Sequence, residues 1–433
     1  MINQELNEKK EVNTQDNQLG IQTQERNENN GSEPKNNHSG IKINMNSKVI
    51  MGIIIGVLIL AIIMIIIVVV VVKKDNDKDE NNNSRNTNSS DDYYISNEIC
   101  DANNICYRLV NPSVEHYIFT LSENVERTHV RYKNRYGIEI AGDLYTPKNL
   151  DTSSTYRAII VGPPYGGVKE QGPGVYCNQL AQRNFVCLGF DPSFNGESSG
   201  EFRHVSSSDI FAEDFSAGVD YLGSLRFVDR NNIGGIGICG SGGFLIGAAA
   251  IDKRIKAIIT SAMYDIPGFG NGADDSTWQS TIDNLAKQRW KDVDNGYPLY
   301  ISSFWADREY NNGQIPALKE DAVLDNYEEW YTFYVTKRGH HPRATGGFTE
   351  TSSFSINNFP VTYHIDKISP RPILFITGDI AHSKPFSETA YSKAKEPKEL
   401  YVVQANCMHI DLYDDISKSP FDKIQSFFDN NLK

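Results

Sequence analysis

The stretch from Ile233 to Ala250 reads I-G-G-I-G-I-C-G-S-G-G-F-L-I-G-A-A-A. Its pattern predicts a short apolar strand over Ile233–Ile238, then Cys239, a glycine-dense turn and an apolar helix from Phe244. A reactive side chain between a strand and a helix, flanked by small residues, is typical of a tight turn that presents a catalytic nucleophile. The stretch therefore predicts an α/β protein with a nucleophile at this turn.

Two residues of the turn are candidates for the nucleophile. Cys239 is preferred, because it lies directly at the end of the predicted strand. Ser241 is the alternative, and it would then be a first-turn residue of the helix. A nucleotide-binding turn is the third interpretation. It is weaker, because G-x-G-x-x-G alone is a loose pattern and no acidic residue closes the next strand at the usual distance.

Composition excludes several classes of protein. The chain has 433 residues and a net charge of -13, which argues against nucleic-acid binding. Six cysteines are too few for a disulfide scaffold. Residues 1–48 are rich in Asn, Gln, Glu and Lys, and such a segment cannot bury enough apolar surface to offset its ordering entropy. We expect these residues to form a disordered N-terminal tail.

The next segment has the composition of a membrane span. Residues 49–72 are 24 residues of mostly Ile and Val without a charge. As a helix they would be roughly 36 Å long, enough to cross a bilayer core of about 30 Å with some tilt. We expect a single transmembrane helix here. Lysines flank it on both sides, so the positive-inside count does not decide its orientation.

Residues 73–109 are predicted to form a polar stalk. The stalk carries acceptor patterns for N-glycosylation at Asn82 and Asn88. Cys100 and Cys106 could close a small disulfide loop. Both features favour a lumenal or extracellular position for the C-terminal part. The alternative is that Asn-rich sequence produces such acceptor patterns by chance and that the two thiols stay reduced.

Residues 110–433 have the pattern of a globular α/β domain. Early strand-like runs are followed by runs that are continuously apolar, as strands buried on both faces should be. The predicted strands are Tyr117–Leu121, Thr128–Tyr132, Ile138–Tyr145, Arg157–Val161, Phe185–Phe190, Ile233–Ile238, Ala257–Thr260, Pro372–Thr377 and Leu400–Val403. Helical segments alternate with the later strands, which indicates one doubly wound, mostly parallel sheet covered on both faces.

An insertion at about 262–369 is predicted to be a helical cap. It holds all four tryptophans, and Ser276 to Trp290 has a helical pattern. We expect the cap to lie over the carboxyl ends of the strands, where ligands bind in open α/β sheets. Its aromatic residues would either line an acyl or aryl pocket or form the core of the cap itself.

The region from about Val130 to Lys433 resembles the α/β-hydrolase superfamily, in particular its dienelactone-hydrolase-like branch. That branch carries a G-x-C turn where most relatives carry G-x-S. The matching stretches are R-Y-G-I-E-I-A-G-D-L-Y-T-P, G-P-P-Y-G-G-V-K-E-Q, G-F-D-P-S-F-N-G-E-S, G-I-C-G-S-G-G, P-I-L-F-I-T-G-D and M-H-I-D-L-Y-D. One departure is that both Gly240 and Ser241 separate Cys239 from the glycine pair, which keeps Ser241 open as the nucleophile.

The resemblance implies a nucleophile, an acid and a histidine in this order along the chain. His409 follows the last predicted strand and is the expected base. Asp379 directly follows the strand before it and is the expected acid. Asp265 and Glu388 are the alternatives for the acid. The thiol of Cys239 would lie at a helix N-terminus, whose partial positive charge favours the thiolate.

An oxyanion hole needs two backbone N–H donors. Gly240 follows the nucleophile, and Tyr165 is the first residue after Pro163 and Pro164 that has an N–H. The sequence thus predicts a membrane-anchored hydrolase of small-molecule esters, lactones or thioesters, without metal or cofactor. A serine esterase or peptidase using Ser241 and a catalytically inactive binding module are the alternatives.

Overall fold

The computed structural model of the protein describes residues 94–100, 106–110, 116–267, 274–301, 326–334, 336 and 338–433. The predicted tail 1–48 and the predicted membrane helix 49–72 lie outside the described residues. Among the helices that are described, none has the length and apolarity that a membrane span requires.

Twelve strands are present in the described part of the chain. They are β1 (Tyr94–Cys100), β2 (Cys106–Val110), β3 (Val125–Lys133), β4 (Glu139–Pro147), β5 (Tyr156–Gly162), β6 (Val186–Phe190), β7 (Val228–Ile238), β8 (Ile255–Ser261), β9 (Tyr300–Ile301), β10 (Phe348–Thr349), β11 (Ile373–Gly378) and β12 (Lys398–Val403). Eight of them form one sheet in the order β12-β11-β8-β7-β5-β6-β4-β3. Along the sheet, neighbouring strands from β12 through β11, β8, β7 and β5 to β6 pair in parallel. β4 pairs antiparallel with β6, and β3 pairs antiparallel with β4 at the edge. This confirms the predicted, mostly parallel sheet.

The helices of the described residues lie between the strands. They are α1 (Gly172–Ala181), α2 (Ser208–Ser224), α3 (Ser241–Ile251), α4 (Asp275–Asn295), α5 (Asn326–Tyr334), α6 (Ser353–Asn358), α7 (Lys384–Lys393), α8 (Asp411–Asp414) and α9 (Phe421–Asn431). Two short 3-10 helices cover Glu350–Ser352 and Ile365–Lys367.

The alternation of side chains along the strands divides the core into two layers. In β5, Ile159 and Val161 pack with residues of α1 and α9. Ala158 and Ile160 point to the opposite face, where they pack with residues of α2, α3 and α7. Successive strand residues face opposite sides of a sheet. An apolar run on a central strand therefore supplies both layers, and this is why the central strands show no polar alternation.

One predicted strand is wrong. Tyr117–Leu121 is not a strand. Ile118 N donates to the Glu170 carbonyl at 3.4 Å, and the segment's other backbone pairing is with a side chain. Asn178 of α1 donates from its amide to the Thr120 carbonyl at 3.1 Å, and its carbonyl oxygen accepts from Ser122 N at 3.1 Å. The apolar side chains of this segment pack on α1 and not in a sheet: Phe119 lies so close to Gly174 that a Cβ there would be 2.4 Å from its ring.

Part of the segment predicted as a polar stalk forms an antiparallel pair, β1 with β2. In its register Cys100 is directly opposite Cys106. The predicted disulfide between them stays a prediction.

The cap contributes α4, β9, α5, β10 and α6 between β8 and β11. The predicted helix at Ser276 to Trp290 lies within α4. Trp290 is 71 % exposed, so it is not a core residue of the cap. Trp305 lies outside the described residues.

Candidate active site

Cys239 occupies the turn between β7 and α3 with a φ of 53°. This left-handed conformation is strained for a residue with a side chain, and such strain is concentrated at functional sites. The turn closes tightly: a Cβ on Gly237 would lie 2.2 Å from the Ser241 carbonyl oxygen. The local sequence therefore places the thiol at the apex of a tight turn, at the carboxyl end of a central strand.

Ser241 is the first residue of α3 and is buried. Its side chain points to the end of β5, where a Cβ on Gly162 would lie 2.8 Å from its Oγ and 2.3 Å from the Phe215 ring. Ser241 thus has helical geometry, and Gly162 leaves the space for its side chain. The additional residue between Cys239 and the glycine pair is therefore accommodated in the first turn of α3, and Cys239 remains at the apex of the turn.

Three donors surround the Cys239 sulfur. The backbone N–H groups of Tyr165 and Gly240 and the hydroxyl of Tyr413 hydrogen-bond to it, and each lowers the pKa of the thiol. Burial is the larger effect and raises the pKa of Cys239 above its usual 9.0. The structure thus brings the two predicted oxyanion donors to the candidate nucleophile and adds Tyr413, whose contact with the sulfur no sequence motif indicated.

His409 is completely buried beside this group. Its Nε2 lies 2.9 Å from the Tyr413 hydroxyl, and its Nδ1 lies 2.6 Å from Ser383 Oγ. Burial, and then the charge of the neighbouring His382, hold the pKa of His409 well below 6.5. The imidazole is therefore neutral at neutral pH and can accept a proton. Tyr413 connects it to Cys239.

The structure places Ser383, and not a predicted acid, at His409 Nδ1. Asp379 instead fixes the loop that carries His409: its carboxylate accepts from Cys407 N at 2.7 Å and Asn406 N at 3.3 Å. This loop approaches so closely that a Cβ on Gly378 would lie 2.0 Å from the Cys407 carbonyl oxygen.

The two alternative acids have other surroundings. Asp265 accepts a hydrogen bond from Thr362 Oγ1 at 3.0 Å. Glu388 lies on α7 with its side chain 51 % exposed, 3.9 Å from Lys384 Nζ. Neither carboxylate occupies the position at His409 Nδ1.

A buried carboxylate does reach the site, from the cap. Glu329 of α5 accepts from Ile410 N at 2.5 Å through one oxygen, and its other oxygen lies 3.0 Å from His382 Nδ1. The His382 and His409 rings are 4.7 Å apart. His382 lies in the stretch A-H-S shortly after β11, close in sequence to Asp379, and its position after a central strand was the signal that could have indicated it. Glu329 gave none, because it comes from the cap, 81 residues before its partner Ile410.

Aromatic rings pack around these histidines. Trp330 lies 4.7 Å from the His382 ring and 6.2 Å from the His409 ring. Tyr264, at the end of β8, lies 5.2 Å from His409 and 4.7 Å from Phe386. Trp330 is thus the one described cap tryptophan that contacts the site, and we use "aromatic chamber" for Tyr264, Trp330 and Phe386 with the two histidines.

The oxyanion loop, residues 162–167, is held by the cap. The Tyr165 ring stacks on Phe348 of β10 at 4.2 Å, and its hydroxyl donates to Ser206 Oγ at 2.7 Å. Gly166 has a φ of +82°, and a Cβ there would be 2.6 Å from Gly346 Cα. Because Phe348 and Gly346 belong to the cap, the cap helps to fix the Tyr165 N–H that faces the sulfur.

A buried ionic cluster follows the oxyanion loop. Lys169 contacts Glu170, and its Nζ lies 2.9 Å from Glu197 and 3.5 Å from Asp191. Arg343 of the cap lies 2.5 Å from the Glu170 carboxylate. This K-E-Q stretch therefore connects the loop to the cap, and no contact places it at the sulfur.

Two proteins resemble the chain in sequence along most of their own length. The chain is 45 % identical over 322 residues to the uncharacterized protein PA2218 of Pseudomonas aeruginosa, covering 72 % of this chain and 83 % of that protein. The crystal structure of PA2218 aligns with a TM-score of 0.66 over 73 % of this chain and 97 % of that chain. The uncharacterized protein YcjY of Escherichia coli is 33 % identical over 284 residues, which cover 65 % of this chain and 90 % of YcjY.

The chain also resembles the crystal structure of the alpha/beta hydrolase GrgF from Penicillium. The two are 20 % identical and align with a TM-score of 0.58 over 71 % of this chain and 99 % of that chain. The chain has the α/β-hydrolase fold, and it belongs to the same family as PA2218 and YcjY. No family model matches the sequence. The α/β-hydrolase fold explains why nucleophile, oxyanion loop and histidine converge at one sheet edge, since the carboxyl ends of parallel strands meet there. The dienelactone-hydrolase-like branch stays a prediction.

Proposed function

We propose that the protein is a cysteine hydrolase that cleaves ester, lactone or thioester bonds through an acyl intermediate on Cys239. The observation that supports this most is the position of its sulfur. Cys239 has the strained backbone of a nucleophile turn, and its sulfur receives the N–H groups of Tyr165 and Gly240. A serine enzyme would need Ser241 at the apex, and Ser241 faces Gly162 inside the fold.

The first step is formation of the acyl intermediate. In the resting enzyme the Tyr413 hydroxyl donates to His409 Nε2, 2.9 Å away. It passes this proton to Nε2 as it takes the thiol proton, and it then donates to the Cys239 thiolate. Ser383 Oγ accepts from Nδ1–H and so keeps the lone pair on Nε2. As the sulfur attacks the carbonyl carbon, it leaves the Tyr165 and Gly240 N–H groups, which then bind the developing oxyanion.

The second half of the reaction completes the cycle. The proton on His409 goes to the departing alkoxide or thiolate, and water then releases the acyl group from Cys239. Thiol nucleophiles favour activated acyl groups, and the aromatic chamber offers an apolar wall for an acyl or aryl substituent. One relative, 23 % identical over 292 residues, is named polyketide transferase grgF.

We further propose that residues 49–72 anchor the enzyme in a membrane, with the C-terminal domain on the lumenal or extracellular side. The uncharged Ile and Val run and the acceptor patterns at Asn82 and Asn88 support this.

The test is hydrolysis of p-nitrophenyl acetate, a small lactone and an acyl thioester by the full-length protein. We expect Cys239→Ala and His409→Ala to lose activity and Ser241→Ala to keep most of it. Iodoacetamide should inactivate the wild type and should label Cys239. Loss in Ser241→Ala alone would identify a serine enzyme, and a wild type that is inactive on every substrate would favour the binding module.

A further inference from the structure

A second imidazole in the aromatic chamber has the surroundings of a general base. His382 Nδ1 lies 3.0 Å from Glu329 Oε2, and both side chains are buried, 11 % and 3 % exposed. Its Nε2 is buried and has no hydrogen-bond partner among the described residues. A carboxylate on Nδ1 orients an imidazole and leaves Nε2 as the acceptor.

The position of Glu329 is fixed independently of His382. Its Oε1 accepts from Ile410 N at 2.5 Å, so the carboxylate cannot turn away without leaving a buried N–H unpaired. The neighbouring Trp330 packs edge-on against the His382 ring at 4.7 Å. The ring is therefore held on two sides in one orientation.

The two histidines of the site differ in their partners. His409 has both nitrogens occupied, by Tyr413 and Ser383, and its Nδ1 partner is a neutral hydroxyl. His382 has the carboxylate and an unoccupied Nε2. Their rings lie 4.7 Å apart, so both belong to the same chamber. His409 is connected to the Cys239 sulfur through Tyr413, whereas His382 is not. The two histidines are therefore suited to different steps of the reaction.

We propose that His382, oriented by Glu329, is the catalytic base of deacylation; this inference rests on the proposed cysteine hydrolase. His382 Nε2 takes a proton from the water that attacks the acyl carbon. The new C–O bond forms, the C–S bond breaks, and the carboxylic acid leaves. The proton taken by His382 returns to the departing Cys239 thiolate, so the enzyme is restored without any other reactant.

The two steps can be separated with the full-length protein by rapid mixing with p-nitrophenyl acetate. We expect His382→Gln to keep a stoichiometric burst of nitrophenol while its steady-state rate falls by about 10²-fold, the loss typical of a removed general base. Intact-protein mass spectrometry should then show an acetyl group on Cys239. His409→Gln should lose the burst. The matched control is His364→Gln, because His364 is an exposed histidine outside the chamber.

Glu329→Gln is the second variant. It tests the role of His382 if near-ultraviolet circular dichroism shows that His382→Gln is not folded. It should also accumulate acetyl-enzyme, with a smaller loss of about tenfold in steady-state rate, because the base is present but poorly oriented. Kinetics of His382→Gln like those of His364→Gln would overturn the inference, as would loss of burst and turnover together in a folded His382→Gln.

The outcome that contradicts the proposed function is different. Full activity in Cys239→Ala, or a burst in His382→Gln without an acetyl group on Cys239, would show that the reaction does not pass through this thiol. Both the inference and the function on which it rests would then be wrong. Accumulation on Cys239 in the wild type, with unchanged deacylation in both variants, would leave the function standing and remove only the role of His382.

Discussion

Tyr413 is the residue that joins the thiol of Cys239 to the imidazole of His409. Replacing it by Phe keeps the ring and removes the path for the proton. We expect kcat/KM for p-nitrophenyl acetate to fall by about 10²-fold in Tyr413→Phe, within the range of a lost proton-transfer group. Iodoacetamide should also alkylate Cys239 more slowly, because one of the three donors that favour the thiolate is gone.

The control for this variant is Tyr401→Phe, since Tyr401 is an exposed tyrosine of β12. It should alkylate and turn over like the wild type. Equal rates in Tyr413→Phe and Tyr401→Phe would show that His409 takes the proton without the tyrosine hydroxyl.

The pH profile depends on two shifts of opposite sign. The pKa of His409 lies well below 6.5, so the base stays neutral and active as the pH falls through that value. The pKa of Cys239 lies above 9.0, so the resting thiol is protonated at neutral pH. We therefore expect kcat/KM to be flat from neutral pH to below 6.5 and to fall only at lower pH. Alkylation of Cys239 should keep rising above pH 9.0. An acid limb centred at 6.5 would show that His409 titrates like an exposed histidine.

The turn between β7 and α3 can be tested with two glycines of the same region. A Cβ on Gly237 would lie 2.2 Å from the Ser241 carbonyl oxygen, which is backbone and cannot move aside. We expect Gly237→Ala to destabilise the protein by about 1–3 kcal/mol, as overpacking does, and to abolish activity. The measurement is urea denaturation together with ester hydrolysis.

Gly247 lies in the interior of α3, and a Cβ there would be no closer than 3.7 Å to Val361. Gly247→Ala should therefore stabilise the protein by about 0.5–1 kcal/mol, because alanine is the better helix former, and should leave activity intact. If the two variants destabilise equally, the constraint is general to this helix and does not belong to the turn.

Elements with a strong local pattern were predictable from sequence. The central strands are continuously apolar because both of their faces are buried, and the glycine turn after β7 is required by close backbone contact. Tyr117–Leu121 has the same local pattern but packs on α1. This packing depends on tertiary contacts, which the local pattern does not predict. The partners of His409 were missed for a related reason. Ser383 occupies the position at His409 Nδ1 where a carboxylate was expected. Glu329 belongs to a cap helix that is far from His409 in sequence.

At the scale of the whole molecule, cap and core meet at several points around the site. Arg338 of the cap contacts Asp414 of α8 at 2.7 and 2.9 Å, next to the loop that carries His409. Glu329 binds the same loop through Ile410 N. The nucleophile belongs to the core, but the surroundings of its base and of its oxyanion loop come partly from the cap. Cap contacts should therefore change catalysis as well as stability.

Gln171 offers the sharpest test of this coupling. It is completely buried, donates to the Gly339 carbonyl of the cap at 2.6 Å, and accepts from Val168 N at 3.0 Å beside the oxyanion loop. Gln171→Ala leaves both backbone groups unpaired. We expect it to lower the free energy of unfolding by about 1–3 kcal/mol. It should also reduce kcat/KM by about tenfold, because the Tyr165 N–H loses its fixed position. Gln404→Ala, at an exposed glutamine, is the matched control in urea denaturation and ester hydrolysis. A Gln171→Ala variant that loses stability but keeps the kcat/KM of this control would show that the oxyanion loop holds its geometry without the cap.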